Sequence, residues 1–318
     1  MRNTKLGISY LTVEIAEWGK KVMKDFIRNR YAYLMALPVV AYFIVFHYIP
    51  MYGAIIAFKD YSPLKGIWGS EWVGFKHFED FFGSIYFWRL IRNTLLISLY
   101  SIIFGFPVPI IFALLLNEIR NSLFKRVVQT ATYMPHFLSL VVVAGMIVNF
   151  TSVDGLINDI IAALGGERIP FLMKPEYFRL IYVASGIWQE FGFQSIIYLA
   201  AITNIDPQLY EAARIDGANR WQQLKHITLP GILPTIVILF ILRIGNIMNV
   251  GYEKIILLYN PATYETADVI STFVFRRGLI EFDYSFATAV GLFNSVVNFV
   301  VLIIANEIAK RLQETSLW

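Results

Sequence analysis

Six apolar stretches of about twenty residues or more recur along this chain, near residues 31–56, 91–116, 127–150, 180–203, 231–250 and 286–308. A helix rises about 1.5 Å per residue, so about twenty apolar residues match the roughly 30 Å hydrocarbon core of a bilayer. Backbone polar groups find no water there, and helices satisfy them within a single segment. The pattern predicts an all-α membrane protein with six transmembrane helices. Composition agrees, because only 16% of the 318 residues are charged and 57% are hydrophobic. Soluble domains carry about a quarter charged residues.

A formal net charge of +4 fits basic residues held on the cytoplasmic side of a membrane. Nucleic acid is not an expected partner, because no polar domain exists to carry it. The absence of cysteine excludes disulfides, thiolate metal sites and a cysteine nucleophile. His47, His77, His136 and His226 show no metal-ligand spacing and read as interfacial or packing residues, so no metal is expected. No Ser/His/Asp arrangement and no phosphate loop of the Gly-x-x-x-x-Gly-Lys-Ser/Thr type occurs. The chain is therefore not expected to be an enzyme, to hold a cofactor or to hydrolyse ATP itself.

With the N-terminus in the cytoplasm, 15 of the 27 Lys and Arg residues fall in inner segments and 11 in outer ones, Arg243 lying within a span. The first flank, with seven of them from Arg2 to Arg30, dominates the orientation and places both termini inside. Residues 1–30 contain no apolar core before a small-residue cleavage site, so they do not read as a cleavable signal. Leu11, Ile15, Trp18, Val22 and Phe26 recur at spacings of three and four, which suits a helix lying in the membrane interface. A solvated tail is the alternative. Residues 31–318 then form the permeation domain, including a polar loop at 206–234.

That loop separates the fourth and fifth apolar stretches. Asp206 before Pro207 is a helix start, with a carboxylate cap and a proline whose missing N–H costs nothing at the first position. Leu209, Tyr210, Ala213 and Ile215 give the helix an apolar side, and Gly217 supplies a left-handed stop. Asn219 is placed to cap a second helix bearing Trp221, Leu224, Lys225 and Ile227, which Pro230 and Pro234 are expected to end. Two short helices meeting at a glycine make a rigid knob. A plain connector with ordinary caps is the alternative.

The run Glu211-Ala212-Ala213, three residues, Gly217, then Ile227-Thr228-Leu229-Pro230 and Pro234 resembles the coupling loop of importer permeases of the ATP-binding cassette class. Asp216 beside Gly217, with Ala218 after it, is similar to sugar-importing members, and Leu224 stands where the family usually has an aromatic residue. Trp72-Val73-Gly74-Phe75-Lys76-His77-Phe78, with Phe87-Trp88 and Asn93-Thr94-Leu95, resembles maltose-type permeases. Tyr48-Ile49-Pro50-Met51-Tyr52-Gly53 and Phe58-Lys59-Asp60-Tyr61 look like the complex-oligosaccharide subgroup of type I importers. The resemblance implies ATPase docking through Glu211, Ala212, Ala213, Asp216, Gly217, Ala218, Leu224, Leu229 and Pro230. It also implies two cytoplasmic ATPase subunits, a second homologous permease and an extracellular solute-binding protein. The chain would form half of the pathway for an oligosaccharide, in the cytoplasmic membrane. Another cargo (a polyol, a glycerol phosphate ester or a peptide) and a stand-alone secondary transporter are the alternative readings.

Polar side chains are expensive in lipid and usually face a bundle interior. Trp188, Gln189, Gln194, Asn246, Asn249, Tyr252, Asn294 and Asn298 are thus pathway candidates, with interhelical hydrogen bonding as the competing role. Glu190 and Arg243 fall at similar depth on antiparallel neighbours, which predicts a direct ion pair or a shared polar pocket, the alternative being that each charge faces the water-filled path separately and contacts sugar hydroxyls. The orientation itself is checked by reporter fusions. Reporters after Lys24, within 219–225 or after Arg311 are expected inside, and those within 60–78 or 260–266 outside. An external signal from 219–225 would overturn the assignment.

Overall fold

In a computed structural model, the described residues are 24–25 and 27–313. The expected interfacial helix on Leu11, Ile15, Trp18, Val22 and Phe26 lies outside them. The chain divides into two compact units, Met1–Ile55 and Ile56–Trp318. The first contains α1 (Arg30–Phe43), a π-helical turn Ile44–Tyr48 and a helical turn Ile49–Met51. A 3-10 stretch, Tyr52–Phe58, completes a 29-residue apolar run. Its residues 30–50 are exposed on every face, as suits a helix whose surroundings are lipid or another chain.

The π turn has a visible cause. The Ile49 N–H bonds to the Ile44 carbonyl, five residues back, immediately before Pro50. Proline lacks an N–H, and its ring collides with the carbonyl four residues earlier. Shifting the ladder by one residue widens the turn and lets the helix continue. The same device recurs ahead of Pro230, where the Leu229 N–H bonds to the Leu224 carbonyl.

The second unit holds the remaining spans. Helix α2 (Phe87–Gly105) runs through Phe106 into α3 (Pro107–Glu118), with Phe106 still in helical conformation. Helices α4 (Ser122–Tyr133) and α5 (Leu140–Thr151) follow. The expected third span, 127–150, is not one helix. Pro135 sits in a 3-10 turn, Met134–Phe137, and the Ser139 hydroxyl caps α5 by accepting from the Val142 N–H at 3.3 Å. Helix α6 (Pro175–Thr203) has 29 residues, ample length to cross. Its Arg179, Gln189, Glu190 and Gln194 make it less apolar than the five other long apolar runs among the described residues.

The knob helices α7 (Pro207–Ile215) and α8 (Arg220–Gln223) come next. Through its π turn, α8 continues into α9 (Leu229–Gly245) as one 26-residue run, Arg220–Gly245. Pro230 and Pro234 therefore do not end the helix, contrary to expectation. The π turn absorbs Pro230, and Pro234 lies inside the first turns of α9. The fifth span ends at Gly245 rather than near Val250. Helices α10 (Tyr252–Leu258) and α11 (Ile270–Phe275) lead to α12 (Tyr284–Gln313).

Apolar packing joins these helices in three clusters. One centres on Ile97, Val143, Phe178 and Ile255, a second on Phe81, Leu90, Phe273 and Val290, and a third on Tyr198, Ile202 and Ile232. Between the first two lies a polar knot. The fully buried Asp268 carboxylate accepts from Arg89 at 3.2 Å, Arg276 at 2.9 Å and the Thr272 hydroxyl at 2.9 Å. The Asn93 amide donates to the Glu265 and Asp268 carbonyls at 2.9 Å each, and its oxygen accepts from Arg179 at 2.8 Å. Thr94 accepts the Ile270 N–H at 3.1 Å. The segment between the last two spans is thus tied to the starts of α2 and α6, at the bundle end opposite the knob. Burial works to lower the Arg276 pKa, but the hydrogen bond and charge of Asp268 outweigh it, so the net shift is upward and the guanidinium stays charged.

Close backbone approach fixes the middle of the bundle. A Cβ built on Gly192 of α6 would fall 2.2 Å from the Thr132 carbonyl oxygen of α4, so only glycine fits. Gly192→Ala is expected to destabilise by about 1–3 kcal/mol through overpacking, read as a lower unfolding midpoint in detergent. Gly145→Ala, where nothing lies within 4 Å of the added carbon, should leave the midpoint unchanged or slightly raised. Equal midpoints for both variants would refute the close contact.

Candidate coupling surface and polar cavity

The knob is built by local hydrogen bonds that the sequence encodes. The Asp206 carboxylate accepts from the Gln208 N–H at 2.9 Å, starting α7. At its end Gly217 has φ +77°. The Ala218 N–H reaches the Ala213 carbonyl at 2.8 Å and the Gly217 N–H the Arg214 carbonyl at 3.1 Å, the paired bonds of a Schellman stop. Nothing lies within 4 Å of where a Gly217 Cβ would be, so the backbone conformation, not space, demands glycine there.

Asn219 and Gln222 then cap α8 reciprocally, at 2.9 Å and 2.7 Å. The Tyr210 and Thr228 hydroxyls meet at 2.9 Å, tying α7 to the π turn. Arg220 pairs with Glu118 at the end of α3. The knob is internally braced, yet its apolar side chains face outward, with Ile215 87%, Trp221 70% and Leu209 53% exposed. Of the nine residues expected at the docking surface, Glu211, Ala212, Asp216, Gly217 and Pro230 are exposed, and Ala213, Ala218, Leu224 and Leu229 are half-buried.

Within the bundle, α6 and α9 wall a cavity of about 710 Å³ together with the junction of α2 and α3 and the start of α10. Tyr182, Gly186, Gln189, Glu190 and Gln194 face it from α6, at helical spacings of three and four that keep one stripe inward. Arg243 faces it from α9, Asn246 and Asn249 from the turn after α9, and Lys254 from α10. Five of the eight polar or aromatic candidates are thus placed in or against this region. Gln189, Gln194, Asn246 and Asn249 line it, and Asn294 donates to the Asn249 side-chain oxygen at 2.9 Å.

The other three lie elsewhere. Trp188 points into a separate apolar cavity with Met146, Phe150 and Ser185. Tyr252 stacks on Phe275 with ring centroids 5.5 Å apart. Asn298 is buried and accepts the Met248 N–H at 2.9 Å, an interhelical fastening between α12 and the turn after α9.

Glu190 and Arg243 share the cavity, but no direct ion pair between them forms among the described residues. Glu190 is held instead by His136, whose Nδ1 lies 3.0 Å from its carboxylate. The break at Pro135 explains this, because it swings His136 out of the helical register and against α6. There the imidazole stacks flat on Phe193 at 3.8 Å. Neither Lys254 as a cavity residue nor His136 as the partner of Glu190 is legible in the sequence. Lys254 lies beyond the fifth span in sequence, and only the fold of α10 carries it back, where Nζ donates to the Tyr182 carbonyl at 3.2 Å. Gly186, whose Cβ would lie 3.5 Å from Nζ, leaves the room.

The family of binding-protein-dependent transport system inner membrane components matches residues 105–314, which include the knob and most of the cavity lining. The polygalacturonan/rhamnogalacturonan transport system permease protein YteP of Bacillus subtilis (strain 168) is 47% identical over 303 residues, 95% of this chain and 94% of that protein. Protein LplB of the same organism is 46% identical over 292 residues, 92% of each. A crystal structure of a bacterial ABC transporter that imports the acidic polysaccharide alginate contains a chain 48% identical to this one. It superposes with a TM-score of 0.85, covering 92% of this chain and 99% of that one. A braced knob, a polar cavity between helices and these likenesses agree: the chain belongs to the family of binding-protein-dependent transport system inner membrane components and is a multi-pass permease subunit of an importer of the ATP-binding cassette class.

Proposed function

We propose that this subunit forms half of the translocation pathway for an acidic oligosaccharide, powered by two separate cytoplasmic ATPases. A second, homologous permease completes the pathway, and an extracellular solute-binding protein delivers the cargo. The relatives support the cargo class, since YteP carries a polygalacturonan/rhamnogalacturonan name and the alginate transporter imports an acidic polysaccharide. That transporter has also been crystallised with a periplasmic protein bound to an alginate pentasaccharide.

One observation carries the mechanism. Trp221, exposed on the knob, and Arg243, facing the cavity, belong to the same continuous helical run, Arg220–Gly245. At about 1.5 Å per residue that run is roughly 40 Å long, a stiff lever between a docking surface and the path. Closure of the ATPase dimer moves the knob, and the lever carries that motion to the cavity wall. Cargo and ATP then favour a common state of the bundle and so promote each other's binding, a linkage between two sites. Both termini and the knob lie on the cytoplasmic side in this reading.

Coupling is tested in reconstituted vesicles holding the full transporter. Gly217→Val forces a β-branched residue to φ > 0 and should cut transport at least about fivefold while membrane insertion is retained. Glu211→Lys should reduce co-purification of the ATPases. Normal transport by both variants would overturn the knob's role. Uptake that persists with hydrolysis-dead ATPases would overturn the importer mechanism itself.

A further inference from the structure

Two cations, Arg243 and Lys254, line the cavity with no carboxylate within ion-pair distance among the described residues, although the charge of Glu190 acts on Lys254 at longer range. Arg243 is exposed to the cavity, and its guanidinium forms no hydrogen bond or ion pair among the described residues. Lys254 is 7% exposed, yet among the described residues its ammonium is met only by the Tyr182 carbonyl at 3.2 Å and the Tyr182 ring face at 5.0 Å. An ammonium has three donors, so two remain for a ligand. The cavity's carboxylates are Glu190 and Glu253. Glu190 is engaged by His136, and neither stands within ion-pair distance of Arg243 or Lys254 among the described residues. Charges at membrane depth are costly and mark a pathway unless something partners them.

The surrounding groups suit a sugar. Gln189, Gln194 and Asn246 offer planar amides for hydroxyls. What they do not supply is an anion. We infer that Arg243 and Lys254 form a carboxylate-binding subsite within the pathway, which reads the uronate groups of the cargo and favours acidic over neutral or esterified oligosaccharides. This rests on the proposed oligosaccharide function and assigns its charge selectivity to two residues of this chain. The guanidinium matches a carboxylate through two parallel N–H donors, and the ammonium acts as a second point charge on the same cavity. A charge-assisted contact of this kind is worth about tenfold in affinity, and tenfold corresponds to about 1.4 kcal/mol.

The test uses the assembled transporter in nanodiscs without its binding protein, so that delivery does not contribute. Trigalacturonate and its methyl triester are compared by equilibrium binding, the ester keeping every hydroxyl and removing only the charge. The unaltered transporter should bind the acid at least about tenfold more tightly than the ester. Arg243→Gln and Lys254→Gln should each weaken the acid about tenfold and leave the ester within about twofold. Arg243→Lys and Lys254→Arg should retain the preference for the acid. The preference should also shrink as salt rises.

Because Arg243 is exposed to the cavity and Lys254 buried, the Arg243 variants keep the test decisive if Lys254→Gln fails to assemble. Equal loss of acid and ester binding in Arg243→Gln, or an unaltered transporter that binds both alike, overturns the subsite and leaves the oligosaccharide reading standing. Failure to bind either sugar in any form overturns that reading as well.

Discussion

The buried Asp268 carboxylate holds one end of this bundle together. Three groups converge on it, Arg89 from the start of α2, Arg276 after α11 and the neighbouring Thr272 hydroxyl. Asn93 extends the knot to the Asp268 backbone and to Arg179 at the start of α6. A lone carboxylate with no exposed surface would be far too costly to keep ionised, and its partners would be costly without it. Mutual satisfaction makes this end of the bundle all-or-none. The segment joining the last two spans is fixed against α2 and α6, and α10, which precedes it, is thereby held against the cavity.

At the opposite end the design differs. The knob is braced almost wholly by short-range bonds, the Asp206 cap, the Gly217 stop, the Asn219–Gln222 box and the Tyr210–Thr228 contact. Its apolar residues Leu209, Ile215 and Trp221 are left uncovered. A surface braced mainly by its own short-range bonds that still exposes large hydrophobic groups is suited to pressing against another protein. The link between the two ends is α9 with its π turn, where the helix tolerates Pro230 by moving its hydrogen-bond ladder one residue. A proline that would otherwise break the chain's stiffness is thereby accommodated within a continuous rod.

Much of this was legible in the chain. The apolar runs locate the spans because backbone satisfaction and bilayer thickness leave so few alternatives. The caps of the knob are legible because capping is a code of adjacent residues. Where the reading failed, a neighbour in space outweighed a neighbour in sequence. The stretch 127–150 read as one span because its apolar residues outweigh Gln129, Thr130, Thr132 and His136 around Pro135. Pro230 and Pro234 looked like helix ends because a π turn leaves no sequence mark of its own.

The cavity shows the division most sharply. Depth along a helix follows from counting residues, and Glu190 and Arg243 line one cavity without the direct ion pair that counting suggested. Rotation about the helix axis and the identity of the facing side chain do not follow from counting. His136 takes Glu190 from 54 positions away, and Lys254 reaches Tyr182 across 72. The chain by itself determined which stretches are apolar enough to cross a membrane and where the first knob helix starts and stops, at Asp206 and Gly217. Only the tertiary structure decided which polar residues meet. A membrane fixes the depth of a residue by solvation alone, but its partner is fixed by how neighbouring helices pack, and that depends on every side chain between them.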